Sequence, residues 1–203
     1  MPETSSQRLL LAKLSTLYVE MEEAYDRIAS QLGLSCENCS QNCCTSYFLH
    51  HTYIEWAYLW EGIKACNEEK QNGFLHKAEA YVREAESLLA KGLHPEILCP
   101  LNEDGLCRLY THRLMICRMH GDPNSFFQPD GKKLRFPGCK TCQEGYADST
   151  NVPVLDRTDF YRRLAELERQ YLEQEARPLP RVKLTLAEML VNGPPQSRIG
   201  ISG

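Results

Sequence analysis

Residues 7–32, "QRLLLAKLSTLYVEMEEAYDRIASQL", decide the fold class. Leu11, Leu14, Tyr18, Met21, Tyr25, Ile28 and Leu32 step by three and four, which places them on one face of a helix. Gly33 stands where such a helix would stop. The stripe predicts a long amphipathic helix packed on its own domain. Its heptad-like step also offers a seam to a second chain, so this N-terminal helix is the candidate surface for a protein partner, with the oligomeric state left open.

Similar patterns continue outward from it. Periodicity predicts further helices over 53–70, 73–91 and 159–176. Thr52 and Glu55 have the spacing of a capping box at the start of the second, and Thr158 stands as a cap for the fourth. "LTLAEML" predicts a last short helix, again with capping-box spacing at Thr185 and Glu188, followed by a mobile tail. Between 93 and 153 the texture is irregular and rich in proline and glycine. There "QPDGKK" reads as a turn joining two short strands, "SFF" and "KLRF". The expected fold is mainly α: a helical bundle with an irregular cysteine-rich lobe and one short β-hairpin. Residues 1–180 would form a single domain, its lobe made of 36–51 plus 93–153, and 181–203 would carry the short helix and tail.

Sixty residues of loop are too many for an ordinary compact domain unless something besides periodic structure holds them. Cysteine is the evident means. The chain has 203 residues and ten cysteines, with a formal net charge of −4. No export signal and no run of ~20 apolar residues is visible, so the expected location is a reducing cytoplasm, where clustered thiols serve metals or redox chemistry more often than structural disulfides. The charge balance points away from nucleic acid and from anionic membrane surfaces as partners.

The cysteines read Cys36-x2-Cys39-x3-Cys43-Cys44, then 54 residues of helical insertion, then Cys99-x7-Cys107-x9-Cys117, then Cys139-x2-Cys142. Thiolates favour zinc, copper(I) and iron–sulfur centres, and an x2 spacing lets two sulfurs leave one tight turn toward one metal. These nine are the candidate metal ligands. Convergence of the first two blocks on one shared site is expected, with the insertion folding back as a helical hairpin. Cys139 and Cys142 would complete a second site or close the lobe. Cys66, alone in a helix, reads as a small buried apolar residue.

The stretches "CENCSQNCC", "CPLNEDGLCRLYTHRLMICRMHG" and "PGCKTC" resemble bacterial cysteine-cluster proteins described as a zinc- or iron-chelating domain, the YkgJ-type family. The likeness covers roughly residues 36 to 142. It departs at Leu114, where members of that family carry proline after the arginine. The resemblance implies metal chelation through Cys36, Cys39, Cys43, Cys44, Cys99, Cys107 and Cys117. It supplies no reaction. A flagellin lysine N-methylase carries a related cysteine motif, which keeps an enzymatic role open.

Of the two metals, an iron–sulfur cluster is favoured over zinc. Neighbouring side chains diverge in an extended chain, so Cys43 and Cys44 suit two corners of a bulky cluster better than one small ion. His50, His51, His112 and His120 flank the cysteine blocks and are candidates to touch metal or substrate. His76 and His94 read as surface. Between Cys99 and Cys142 seven Lys and Arg stand against four acids, and Arg108, Arg113 and Arg118 are placed to offset thiolate charge or to meet an anionic substrate. Three functions follow: an iron–sulfur redox protein or enzyme, a zinc-stapled interaction scaffold, and a metal-handling protein.

Overall fold

The apolar stripe of residues 7–32 forms helix α1, Ser5–Leu32, in the computed structural model of the chain. The structure describes residues 5–34, 43–146, 151–175 and 178–195. Leu11, Leu14, Tyr18 and Met21 are buried, as the stripe requires, while Tyr25, Ile28 and Leu32 are half-buried. Gly33 ends the helix at a φ of 61°, a left-handed conformation that costs glycine nothing. The expected tail beyond residue 195 and the cysteines Cys36 and Cys39 lie outside the described residues, as does the side chain of Cys43.

Helix α2 spans Tyr53–Lys64 and α3 spans Glu68–Ala90. The expected second helix is therefore shortened from residue 70 to Lys64, and the third begins at Glu68 instead of 73. Asn67 decides the break: its side-chain oxygen accepts from the Lys70 amide at 3.0 Å, and two glutamates follow it in the first turn. Strands β1, Asn102–Glu103, and β2, Leu106–Cys107, form a small hairpin that the periodicity does not signal. Its turn is Asp104-Gly105, both at positive φ (53° and 82°), as a two-residue hairpin turn requires.

Helix α4, Met115–Arg118, leads to β3, Asn124–Phe127, and β4, Lys133–Phe136. The last two are the antiparallel pair expected around "QPDGKK", with Asn124 opposite Phe136. Helix α5, Lys140–Gly145, follows, and then β5, Leu155–Asp156, which joins β3 in parallel. Helix α6 runs Thr158–Leu172 instead of reaching 176, and α7 is Leu186–Val191. Thr158 is not the cap of α6. Its amide donates to Asp156 Oδ1 at 2.9 Å, so Asp156 caps the helix, and the Thr158 hydroxyl accepts from the Phe127 amide at 3.0 Å. Among the described residues the fold is mainly α, with seven helices and two small sheets. No helix among them is long and apolar enough to cross a membrane.

These elements sort into two compact units. The first comprises Met1–Leu11, Cys44–Leu114 and Glu168–Gly203. The second comprises Ala12–Cys43 and Met115–Leu167.

In the first unit, aromatic side chains of α2 hold distant backbone. The Trp56 and Trp60 indoles both donate to the Met189 carbonyl, at 3.0 and 2.9 Å, and the Tyr53 hydroxyl donates to the Pro180 carbonyl at 2.9 Å. Helix α3 packs on α7 through this unit's core, where Phe74, Ala78, Tyr81, Met189 and Leu190 are buried. Helix α7 carries the expected capping box: Thr185 Oγ1 accepts from the Glu188 amide, and the Glu188 carboxylate accepts from the Thr185 amide. The box expected at α2 is absent. The Thr52 hydroxyl instead donates to the Glu55 carboxylate at 2.6 Å. The opening amides of α2, those of Tyr53 and Ile54, donate to the two oxygens of Glu168, each at 2.9 Å.

In the second unit, Leu14, Leu17, Tyr18, Met21, Met119 and Leu164 are buried. Arg163 pairs with Glu20, and Arg118 lies over the Tyr18 ring at 4.5 Å with Glu22 3.5 Å from its guanidinium. Arg157 is buried against Phe126, Phe136 and Tyr161, at 5.4 to 5.9 Å from the ring centres.

Candidate metal and thiol sites

The first unit holds Cys44, Cys99 and Cys107, each half-buried. A short backbone relay connects them. The Cys99 amide donates to the Cys44 carbonyl at 2.9 Å, and the Cys99 carbonyl accepts from the Asn102 amide at 2.9 Å. Asn102 in turn stands opposite Cys107 in the β1–β2 hairpin. The end of the first cysteine block and the start of the second are therefore neighbours, as a fold-back of the insertion predicts. Tyr81 of α3 lies close to Cys99. Burial, then the neighbouring Cys99, Tyr47 and Glu188, pushes its hydroxyl up to about 12, so it remains a neutral donor.

The second unit holds Cys117, Cys139 and Cys142. Cys117 lies in α4 and is half-buried. Cys139 is the N-cap of α5, and its sulfur accepts from the Cys142 amide at 3.4 Å. Cys139 is partly exposed, whereas Cys142 is 1% exposed. Two close backbone approaches fix this turn. The Cys139 amide donates to the Gly121 carbonyl at 2.9 Å. At Gly138, with φ at 85°, a Cβ would stand 2.6 Å from that same oxygen, so only glycine fits.

The chain next to Gly121 carries Asp122, which the sequence patterns do not single out. Asp122 is fully buried, and neither carboxylate oxygen has a hydrogen-bond partner. Burial, with the charge of Asp26, pushes its carboxyl up to about 7. The Cys142 thiol is pushed up to about 12, first by burial and then by Cys139 and Asp122. The acid of "HGDPN" precedes a proline in a loop and looks like an ordinary turn residue, so only its enclosure marks it.

The remaining candidates go elsewhere. His50 is buried in a two-way backbone bridge with Leu184, and burial, added to by His51 and opposed by Glu55, brings its ring down to about 4. His51 Nδ1 lies 3.2 Å from the Val182 carbonyl. The His112 ring packs on Tyr58 and against Gly62 of α2. Burial, with Arg157 nearby, lowers His120. His76 and His94 are exposed. Arg108 pairs with Glu103 and Asp104, and Arg113 lies over Tyr110 at 3.7 Å. Cys66, expected inside a helix and buried, stands in the bend between α2 and α3 and is half-buried, because Asn67 starts a new helix; its thiol donates to the Gly62 carbonyl.

Cysteine sulfur, once ionised, is a soft donor of the kind that zinc, copper(I) and iron–sulfur centres take. Among the described residues, no three His, Cys, Asp or Glu side chains stand together closely enough to hold a metal ion, so Cys44, Cys99 and Cys107 are not a complete ligand set by themselves. No protein-family model matches the chain, and no curated protein or solved structure matches it either.

Proposed function

We propose that this chain is a metal-binding cysteine-cluster protein of the YkgJ type, acting in a reducing cytoplasm and holding an iron–sulfur cluster in preference to zinc. The observation that carries this reading is the hydrogen bond from the Cys99 amide to the Cys44 carbonyl. It brings neighbouring backbone from two cysteine blocks that are 54 residues apart in sequence. Cys44, Cys99 and Cys107 supply thiolates, and the resemblance adds Cys36, Cys39, Cys43 and Cys117 to the inventory. Cys139 and Cys142 stand outside the set that the resemblance implies.

A bound cluster would supply one-electron chemistry. The chain's own contribution is positioning. The relay through Asn102 holds the Cys99 and Cys107 backbones, and the neutral Tyr81 hydroxyl beside Cys99 is a donor suited to a thiolate sulfur. Helix α1 stays the candidate surface for a protein partner, with Leu9 and Val19 exposed on it while Leu11, Leu14, Tyr18 and Met21 of its stripe are buried.

The test is anaerobic purification followed by analysis for iron, zinc and acid-labile sulfide. Iron and sulfide with a visible absorption band support the cluster. A colourless protein with stoichiometric zinc replaces the cluster with a zinc staple, and a chain free of both metals sinks the reading.

A further inference from the structure

The β1–β2 hairpin buries an amide group where cysteine blocks meet. Asn102 opens β1, and its backbone amide donates to the Cys99 carbonyl at 2.9 Å. Its side-chain Oδ1 accepts from the Gly105 amide at 3.2 Å, which closes the Asp104-Gly105 turn. With Oδ1 committed to the turn, Nδ2 is the remaining group of the side chain, and it carries two N–H donors. Asn102 is 5% exposed, and its buried Nδ2 donates to nothing among the described residues. Buried polar groups in native folds are hydrogen-bonded, so a buried donor without an acceptor in the chain calls for one from outside it. The place of Asn102 says what that acceptor is. It stands directly opposite Cys107, and the side chains of such a pair leave the same face of a hairpin. Its amide is bonded to Cys99, whose own amide is bonded to Cys44. The donor therefore lies on the backbone that joins these cysteines, yet the Cys107 sulfur on its own face does not accept from it. A zinc ion held by thiolates brings no acceptor beyond the cysteines, whereas an iron–sulfur cluster brings inorganic sulfides.

We propose that Asn102 donates a hydrogen bond through Nδ2 to an inorganic sulfide of the cluster and so raises its reduction potential; this rests on the cluster reading above. Reduction adds one electron and makes the sulfurs better acceptors. An N–H held against a sulfide stabilises the more negative, reduced form more than the oxidised one, and the equilibrium moves toward reduction. Asn102 is neutral in both states and moves no proton. It is a positioning residue, and the bond from the Gly105 amide to Oδ1 keeps the amide group in place.

The experiment uses the full chain, purified anaerobically with its metal in place, with iron and acid-labile sulfide counted per chain. Asparagine labelled with nitrogen-15 in the side-chain amide is incorporated, dithionite supplies the electron, and pulsed EPR of the reduced protein reads nitrogen coupling to the cluster. The wild-type chain should show a coupling that Asn102→Ala loses. At wild-type iron and sulfide content, Asn102→Ala should also lower the equilibrium constant for one-electron reduction about tenfold, a fall of about 59 mV. If Asn102→Ala does not assemble the cluster, Asn102→Asp decides by the same loss of coupling, since it keeps the oxygen that accepts from Gly105 and lacks the nitrogen. A role confined to the turn would lower thermal stability and leave coupling and potential unchanged. Retention of every coupling in the variants, or a wild-type potential in Asn102→Ala, overturns the proposal and leaves the cluster reading standing. A wild-type chain without iron and sulfide overturns both.

Discussion

The amide of Cys99 donates to the carbonyl of Cys44 at 2.9 Å, with α2 and α3 lying between them in the chain. A single backbone bond of this kind contributes about 1 kcal/mol. Its value is positional, because it sets where one cysteine block ends and the next begins.

If those two residues are ligands, Cys44→Ser and Cys99→Ser should each lower the content of the same metal in anaerobically purified protein. Cys66→Ser should lower none, since the Cys66 thiol donates locally to the Gly62 carbonyl. Retention of full metal content by both ligand variants would remove them from the site. Chelation should also lower the unfolding midpoint under reducing conditions, because structural metals contribute ~10 kcal/mol in small domains.

Glu168 is the cap of α2. Glu168→Ala leaves the Tyr53 and Ile54 amides without their acceptors and should cost about 1–3 kcal/mol in urea unfolding. Thr52→Ala should cost less, because its hydroxyl makes no cap bond. Equal losses in the two variants would restore Thr52 as the cap.

Gly62→Ala tests the contact between α2 and His112. An alanine within a helix ordinarily gains about 1 kcal/mol over glycine. Here the new Cβ would stand 2.5 Å from the His112 ring and 2.9 Å from its Cβ. Overpacking of this kind costs about 1–3 kcal/mol, so the variant should be less stable than the wild type. A gain in stability, read by thermal unfolding, would show that the ring has room to move aside.

His50 should stay neutral in the folded chain down to about pH 4, against 6.5 for an ordinary imidazole. Burial is the main cause, so between those values the unfolded chain binds more protons than the folded one. Its contribution to stability is then complete above pH 6.5 and is lost as pH falls toward 4. An NMR titration of the ring reads this directly. A midpoint near 6.5 would mean that the ring reaches water.

Much of the secondary structure is written in short-range signals. The α1 stripe, the "QPDGKK" turn and the Thr185–Glu188 box each depend on residues within a few positions of one another, and each forms. Where two local signals compete, the reading slips. The apolar pattern carries the second helix past Asn67, whereas the asparagine oxygen and the glutamates behind it start a new one.

What the sequence by itself determined is therefore the helical class, the hairpin and the inventory of thiols, because period, turn residues and side-chain type act over a few residues of chain. Only the tertiary structure decided that Glu168, not Thr52, caps α2, that the Cys44 and Cys99 backbones meet, and that Asp122 is shut away beside Cys142. Enclosure and hydrogen bonding across 50 or more residues depend on which surfaces pack together. A carboxylate looks the same in the sequence whether it ends in water or beside a buried thiol.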